Sequence, residues 1–177
     1  MNHGNMRWIS KPIHLKENVG GILTYPLITH WRSMMSSQAA KRSRELFENG
    51  YYCAESVLLA VAEEKGIESD LIPKIATGFC SGIAQTSNQC GAVSGGILAI
   101  NLLTGRSSPQ DSIEKNYALI QEFLRTFEDR FGSTNCKALT GCDLNTEEGQ
   151  LRFREDNKIV QCSEYVEEAT QLVLDLL

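Results

Sequence analysis

The stretch from Cys90 to Gly105 most constrains the fold. Between these ends lie Ala92, Val93, Ile97, Leu98, Ile100, Leu102 and Leu103, and no charged residue interrupts them. A helix with this composition is apolar on nearly all sides, so it belongs at the centre of a core with other helices around it. Gly95 and Gly96 weaken such a helix by roughly 1 kcal/mol each relative to alanine. The expected return is close approach of a neighbouring helix or of a bound group.

The flanking segments supply those neighbours. Ser36 or Ser37 can cap a helix that runs to Glu48 and stops at Asn49-Gly50. Cys53 opens the next, with Val57, Leu58, Val61 and Ala62 on one face and Gly66 beyond its end. Ser69 and Asp70 start a third, carrying Leu71, Ile72, Ile75 and Phe79, with Pro73 in its first turn. Ser108-Pro109 starts the longest helix, in which Ile113, Tyr117, Ile120, Leu124, Phe127 and Phe131 recur at steps of three and four before Gly132. Ser133, Thr134 and Asn135 offer caps for a short helix from Cys136 to Gly141, and Thr146-Glu147-Glu148 opens another. Cys162-Ser163 begins the last, with Tyr165, Val166, Ala169, Leu172, Val173 and Leu176 as its apolar side. No strand pattern of comparable strength occurs. The predicted fold is all-α, a compact multi-helix bundle around a buried apolar central helix.

Residues 1–34 differ from the rest and are expected to be a poorly structured leader or N-terminal extension, with the domain spanning 35–177. They hold His3, His14 and His30 and both tryptophans, and carry a charge of +3 within a chain of net charge −5. Residues 35–177 therefore contain no histidine. A cysteine–histidine nucleophile pair or a mixed cysteine–histidine zinc site would need a leader residue. The acidic balance, with no basic stripe, argues against nucleic acid as the main partner. No apolar run reaches the length of a membrane span, no convincing signal peptide is present, and a cytoplasmic location is expected. There is no GxxxxGK[ST] and no GxGxxG.

Six cysteines remain to carry chemistry: Cys53, Cys80, Cys90, Cys136, Cys142 and Cys162. None forms a CxxC pair, so a site must be assembled by the fold. Cys53, Cys90, Cys136 and Cys162 fall at predicted helix starts. There, unpaired N–H groups and the helix dipole favour thiolate. Cys80 follows a helix and Cys142 follows Gly141. Glu55, Glu63, Glu64, Glu147, Glu148, Glu167 and Glu168 read as solvated helix faces, and Asn135 as a helix cap. Tyr52 and Tyr165 lie near the candidate cysteines and suit core packing.

Four ordered segments carry a family resemblance. The run Phe47-Glu48-Asn49-Gly50-Tyr51-Tyr52-Cys53-Ala54-Glu55-Ser56-Val57-Leu58 resembles the opening of the C_GCAxxG_C_C family of redox-active proteins. Cys90-Gly91-Ala92-Val93-Ser94-Gly95-Gly96 resembles its CGAxxG signature. Gly132-Ser133-Thr134-Asn135-Cys136 and Lys158-Ile159-Val160-Gln161-Cys162 resemble its last two cysteine segments. The resemblance implies a small helical domain whose four characteristic cysteines fall on Cys53, Cys90, Cys136 and Cys162. Similarity to part of the split-Soret cytochromes associates these cysteines with an iron–sulfur site. The absence of CxxCH implies no covalent haem. There are departures from the family pattern. Cys80 and Ser81 stand in a run that is often glycine-rich, Gln85 where arginine is common, and Tyr52 where asparagine commonly precedes the first cysteine. Cys80 and Cys142 are additional thiols, open as resolving thiols, ligands or core residues.

Three functions follow as expectations. In the first, the four thiolates hold a metal centre, with a [2Fe–2S] cluster as its leading form, for electron transfer or redox sensing with a redox partner protein. The second is a metal-free thiol–disulfide protein, with Cys90 as the attacking thiolate and Cys53 beside it as the other catalytic candidate. The third is a structural four-cysteine zinc module. An apolar helix surface or the leader would support a homodimer.

Overall fold

The computed structural model describes residues 38–177, so the expectations for residues 1–34 and for the Ser36 or Ser37 cap lie outside the described residues. The described chain is helical and contains no strand, as the pattern predicts. Residues 38–48 form α1. The others are α2 (Cys53–Glu64), α3 (Gly91–Thr104), α4 (Glu114–Phe131), α5 (Cys136–Thr140), α6 (Glu147–Glu155) and α7 (Lys158–Leu176).

The apolar segment is the central helix. α3 lies against α2, α4 and α7, with Ala92, Val93, Ala99 and Ile100 fully buried. Its two glycines do what was expected of them. A Cβ on Gly95 would stand 2.7 Å from the Ala54 carbonyl oxygen and 2.9 Å from Ala54 Cα, so α2 crosses here in backbone contact. A Cβ on Gly96 would overlap the Phe123 ring of α4.

α2 begins where the Glu55 carboxylate accepts the Tyr52 N–H at 2.9 Å, half of a capping box. It ends in a Schellman motif. Gly66 takes a positive φ of 64°, and the Ile67 and Gly66 N–H groups close onto the Ala62 and Glu63 carbonyls. Phe123 and Phe127 of α4 are fully buried, and Phe131 meets Tyr165 of α7 edge-on at 4.9 Å between ring centres.

Three helix boundaries differ from the sequence reading. The third predicted helix is a 3-10 segment, Lys74–Phe79, preceded by a cis Ile72–Pro73 bond. Only Ala76 of this segment is buried, and Leu71, Ile75 and Phe79 face solvent. The residue before a proline disfavours α geometry, and here a regular helix starts neither at Ser69 nor after it. α4 starts at Glu114 rather than at Ser108-Pro109, because the Asp111 carboxylate accepts the N–H groups of Ser107 and Ser108 at 2.8 and 2.9 Å and closes a turn first. α7 starts at Lys158, four residues before Cys162, after Asn157 in the left-handed conformation. At 19 residues it exceeds the 18 of α4.

Candidate functional site

Cys53, Cys90, Cys136 and Cys162 line one cavity of about 190 Å³. They arrive from four elements. Cys53 is the first residue of α2, Cys90 is the N-cap of α3, Cys136 is the first residue of α5, and Cys162 lies in the second turn of α7. The helix-start placement thus holds for three of the four. Cys162 is corrected, because Ser163 does not cap a helix start: its hydroxyl bonds back to the Val160 carbonyl at 2.7 Å inside a helix already formed. All six cysteines are free thiols.

Backbone pairing sets Cys90 beside Cys136. The Cys90 N–H donates to the Thr134 carbonyl at 2.8 Å and the Cys136 N–H to the Asn88 carbonyl at 2.7 Å, around an isolated antiparallel bridge between Gln89 and Asn135. Asn135 is the predicted cap of α5, accepting the Ala138 N–H at 3.0 Å, and its amide also donates to the Ser87 carbonyl at 3.1 Å. Gln161 and Tyr165 on α7 both donate to the Leu139 carbonyl, at 3.2 and 3.3 Å, which ties the helix of Cys162 to that of Cys136. Tyr165 is buried and lines the cavity. Tyr52 also lines it but is 59% exposed, so it is a rim residue rather than a core one.

Glycines hold the sulfurs close. A Cβ on Gly91 would overlap the Cys53 sulfur and stand 3.2 Å from Cys80 Cα, and one on Gly82 would stand 2.8 Å from Cys136 Cβ. Gly82 belongs to residues 81–85, all with positive φ, from 49° at Ala84 to 69° at Gly82. This is one turn of left-handed helix, closed by the Ala84 N–H on the Cys80 carbonyl at 2.9 Å. Residues other than glycine cost about 1–2 kcal/mol each there, and such strain persists where the surroundings enforce it. Ser81 and Gln85 of this turn line the cavity.

The expectation of thiolates is corrected for Cys90, Cys136 and Cys162. Burial pushes the Cys90 thiol up to about 12, although the N–H groups of Ala92 and Val93 oppose it. Burial and the neighbouring Cys142 push Cys136 up to about 11. Cys162 is also raised, by burial first and then by Cys90, Cys136 and Cys142. At Cys90 and Cys136 desolvation outweighs the helix terminus, because both residues are buried.

Glu55 is the residue that departs from expectation, and Cys80, whose role the sequence leaves open, gains a neighbour. Cys80 follows the 3-10 segment Lys74–Phe79, as expected. Its Cα and the Cys53 sulfur both lie against Gly91, which packs Cys80 beside the start of α2. Hydrogen bonding to Cys53, followed by burial, raises the Cys80 thiol well above the ordinary range. Glu55 is not on a solvated face. It is 8% exposed and accepts the Thr77 hydroxyl at 2.6 Å, which anchors the segment leading to Cys80 onto α2. The Tyr52-x-x-Glu55 spacing was the available signal. Cys142 is fully buried with Cys136 and Leu144 in a small satellite core and does not line the cavity.

Among the described residues, no three His, Cys, Asp or Glu side chains are grouped to hold a single metal ion. The four thiols instead wall a space.

Residues 51–176 match the family described as "Putative redox-active protein (C_GCAxxG_C_C)". A protein of Archaeoglobus fulgidus, described as uncharacterized, is 30% identical over 151 residues, which are 80% of this chain and 95% of that protein. No solved structure matches the chain. No described helix is long and apolar enough to cross a membrane.

Proposed function

The chain belongs to the C_GCAxxG_C_C family, and from that premise we propose that Cys53, Cys90, Cys136 and Cys162 hold an iron–sulfur cluster, most simply [2Fe–2S], for electron transfer or redox sensing. The observation that carries this reading is the convergence of these four side chains, from four separate elements, on one cavity. Four thiolates without histidine are the usual ligand set of such clusters, which supply one-electron chemistry. Phe47, Leu144, Phe153, Ile159 and Tyr165 add apolar wall, and Gln85, Gln150 and Arg154 add polar wall. The rim at Tyr52 is open, and a partner protein would exchange electrons there.

The raised thiols favour this reading over a metal-free one in which Cys90 attacks. A thiol held up to about 12 is almost wholly protonated at neutral pH and is a poor nucleophile. A bound cation reverses that balance and removes the proton outright. The ungrouped ligands weigh against a single zinc ion.

The test is anaerobic purification with iron, acid-labile sulfide and visible absorption measured together. Iron and sulfide in cluster stoichiometry with charge-transfer absorption are expected, and Cys90→Ser should lose both while keeping its helical circular dichroism. A colourless protein that cannot be reconstituted, or stoichiometric zinc without redox activity, would sink the proposal.

A further inference from the structure

Cys80 has no place in the four-sulfur set, yet the fold puts it against one of the four. Cys53 is half-buried and lines the cavity, whereas Cys80 lies behind it, 4% exposed and outside the lining. The Cys53 sulfur and the Cys80 Cα both lie against Gly91, where no side chain comes between them. The Cys80 thiol also donates to the Ala76 carbonyl at 3.6 Å, which holds it in this orientation. Its backbone is fixed on both sides. The Thr77–Glu55 bond anchors the preceding turn on α2, and the left-handed turn of residues 81–85 follows.

We propose that Cys53 and Cys80 form a dithiol–disulfide couple, in which Cys53 is the thiol that meets small-molecule disulfides and Cys80 is the resolving thiol. The inference rests on the redox reading of the site but not on its metal. Cys53 displaces one thiol from a low-molecular-weight disulfide and becomes a mixed disulfide; its proton leaves with the displaced thiol. Cys80 then attacks the Cys53 sulfur, expels the second thiol and gives up its proton to it; this attack is intramolecular, and the high effective concentration offsets the small thiolate fraction that disfavours a first attack by a buried thiol. One small disulfide is reduced to two thiols, and two protein thiols are oxidised to one disulfide. In the reverse direction an incoming thiol attacks Cys53. The leaving Cys80 sulfur is received by the N–H groups of Ala54 and Glu55, at the start of a twelve-residue helix. Because Cys53 is one of the four cavity sulfurs, the disulfide and a fully ligated cluster exclude one another. Oxidation through Cys80 thereby withdraws a ligand.

The experiment uses the full chain, stripped of metal with a chelator, reduced, and equilibrated anaerobically with oxidised glutathione. Tandem mass spectrometry must resolve Cys80 from Cys90, which share a tryptic peptide. A Cys53–Cys80 link is expected as the main intramolecular product. Cys80→Ser, with helical circular dichroism unchanged, should lose that link and accumulate glutathione on Cys53; Cys80→Ala should behave alike. Linkage of Cys53 chiefly to another cysteine, or a persistent glutathione adduct on Cys53 in the unaltered protein, overturns the proposal. In a parallel arm Cys80→Ser should retain the iron and sulfide of the unaltered protein, and loss of both would make Cys80 a ligand and overturn its role as a resolving thiol. If the link forms but neither protein takes up a cluster, the couple stands and the metal reading fails. If the cluster forms and the link does not, the couple fails alone.

Discussion

Gly91 shows how narrowly the site is fitted at the scale of single residues. A methyl group there would overlap the Cys53 sulfur and press on Cys80 Cα and the Phe79 carbonyl, each 3.2 Å away. Gly91→Ala should therefore displace Cys53 and cost about 1–3 kcal/mol by overpacking. Iron content should fall far more than helical circular dichroism, and unchanged iron would show that Cys53 is not a ligand. The thiols themselves set an alkaline limit on the metal-free protein. Cys90 and Cys136 are raised from an ordinary value of 9.0 to about 12 and about 11. Below that ordinary value both the folded and unfolded chains keep these protons, and the contribution is whole. Above it the unfolded chain releases protons that the folded chain retains, so stability declines as pH rises through the folded values. Urea midpoints for the reduced metal-free protein should drop as pH rises from about 9 to about 11, with a shallower drop in Cys90→Ala. A flat midpoint would mean that the two thiols are not desolvated.

Among the elements, the crossing of α2 over α3 matters most, because Cys53 and Cys90 sit at the starts of these two helices. Alanine at Gly95 would gain about 1 kcal/mol of helix propensity. It would also drive a Cβ to within 2.7 Å of the Ala54 carbonyl oxygen, a backbone atom that cannot swing aside. The expected net effect is destabilisation of about 1–3 kcal/mol, with weaker iron retention as α2 shifts and carries Cys53 with it. Equilibrium urea unfolding and iron analysis measure the two effects. A more stable Gly95→Ala protein with full iron would mean that the helices have room to separate. The short pieces are positioned differently. α5 has five residues and holds Cys136 through the bridge to residues 88–90 and through Leu139's bonds to α7, not through its own helical stability.

Across the whole molecule, a main core joins α2, α3, α4 and α7, and a smaller one of Cys136, Cys142 and Leu144 packs with Phe153 beneath the cysteine loops. The cavity is lined by residues of both clusters, Cys90 from the first and Cys136 from the second. A ligand bound only by the folded state stabilises it by mass action. Anaerobic iron and sulfide should therefore raise the thermal midpoint and protect the segment from Gly82 to Leu144 most in hydrogen exchange. No midpoint shift at saturating iron and sulfide would count against a cluster in this cavity.

The central helix was legible in the sequence because burial on all sides leaves a composition that admits no other reading, and Gly95 and Gly96 marked its contacts correctly. The four family cysteines were legible too, since each stands in a segment with its own local pattern. What a local pattern cannot carry is which groups meet. The start of α7 was misplaced because Asn157, in a left-handed conformation, gives a weaker signal than Ser163. The role of Cys80 stays open in the sequence because its neighbour Cys53 is 27 residues away and the turn that follows it has φ angles its side chains ordinarily avoid. The thiols were expected to be acidic from their helix termini, which are local and therefore visible in the chain. At Cys90, Cys136 and Cys162 desolvation pushes the other way, and it depends on everything packed around them, so only the tertiary structure decides it.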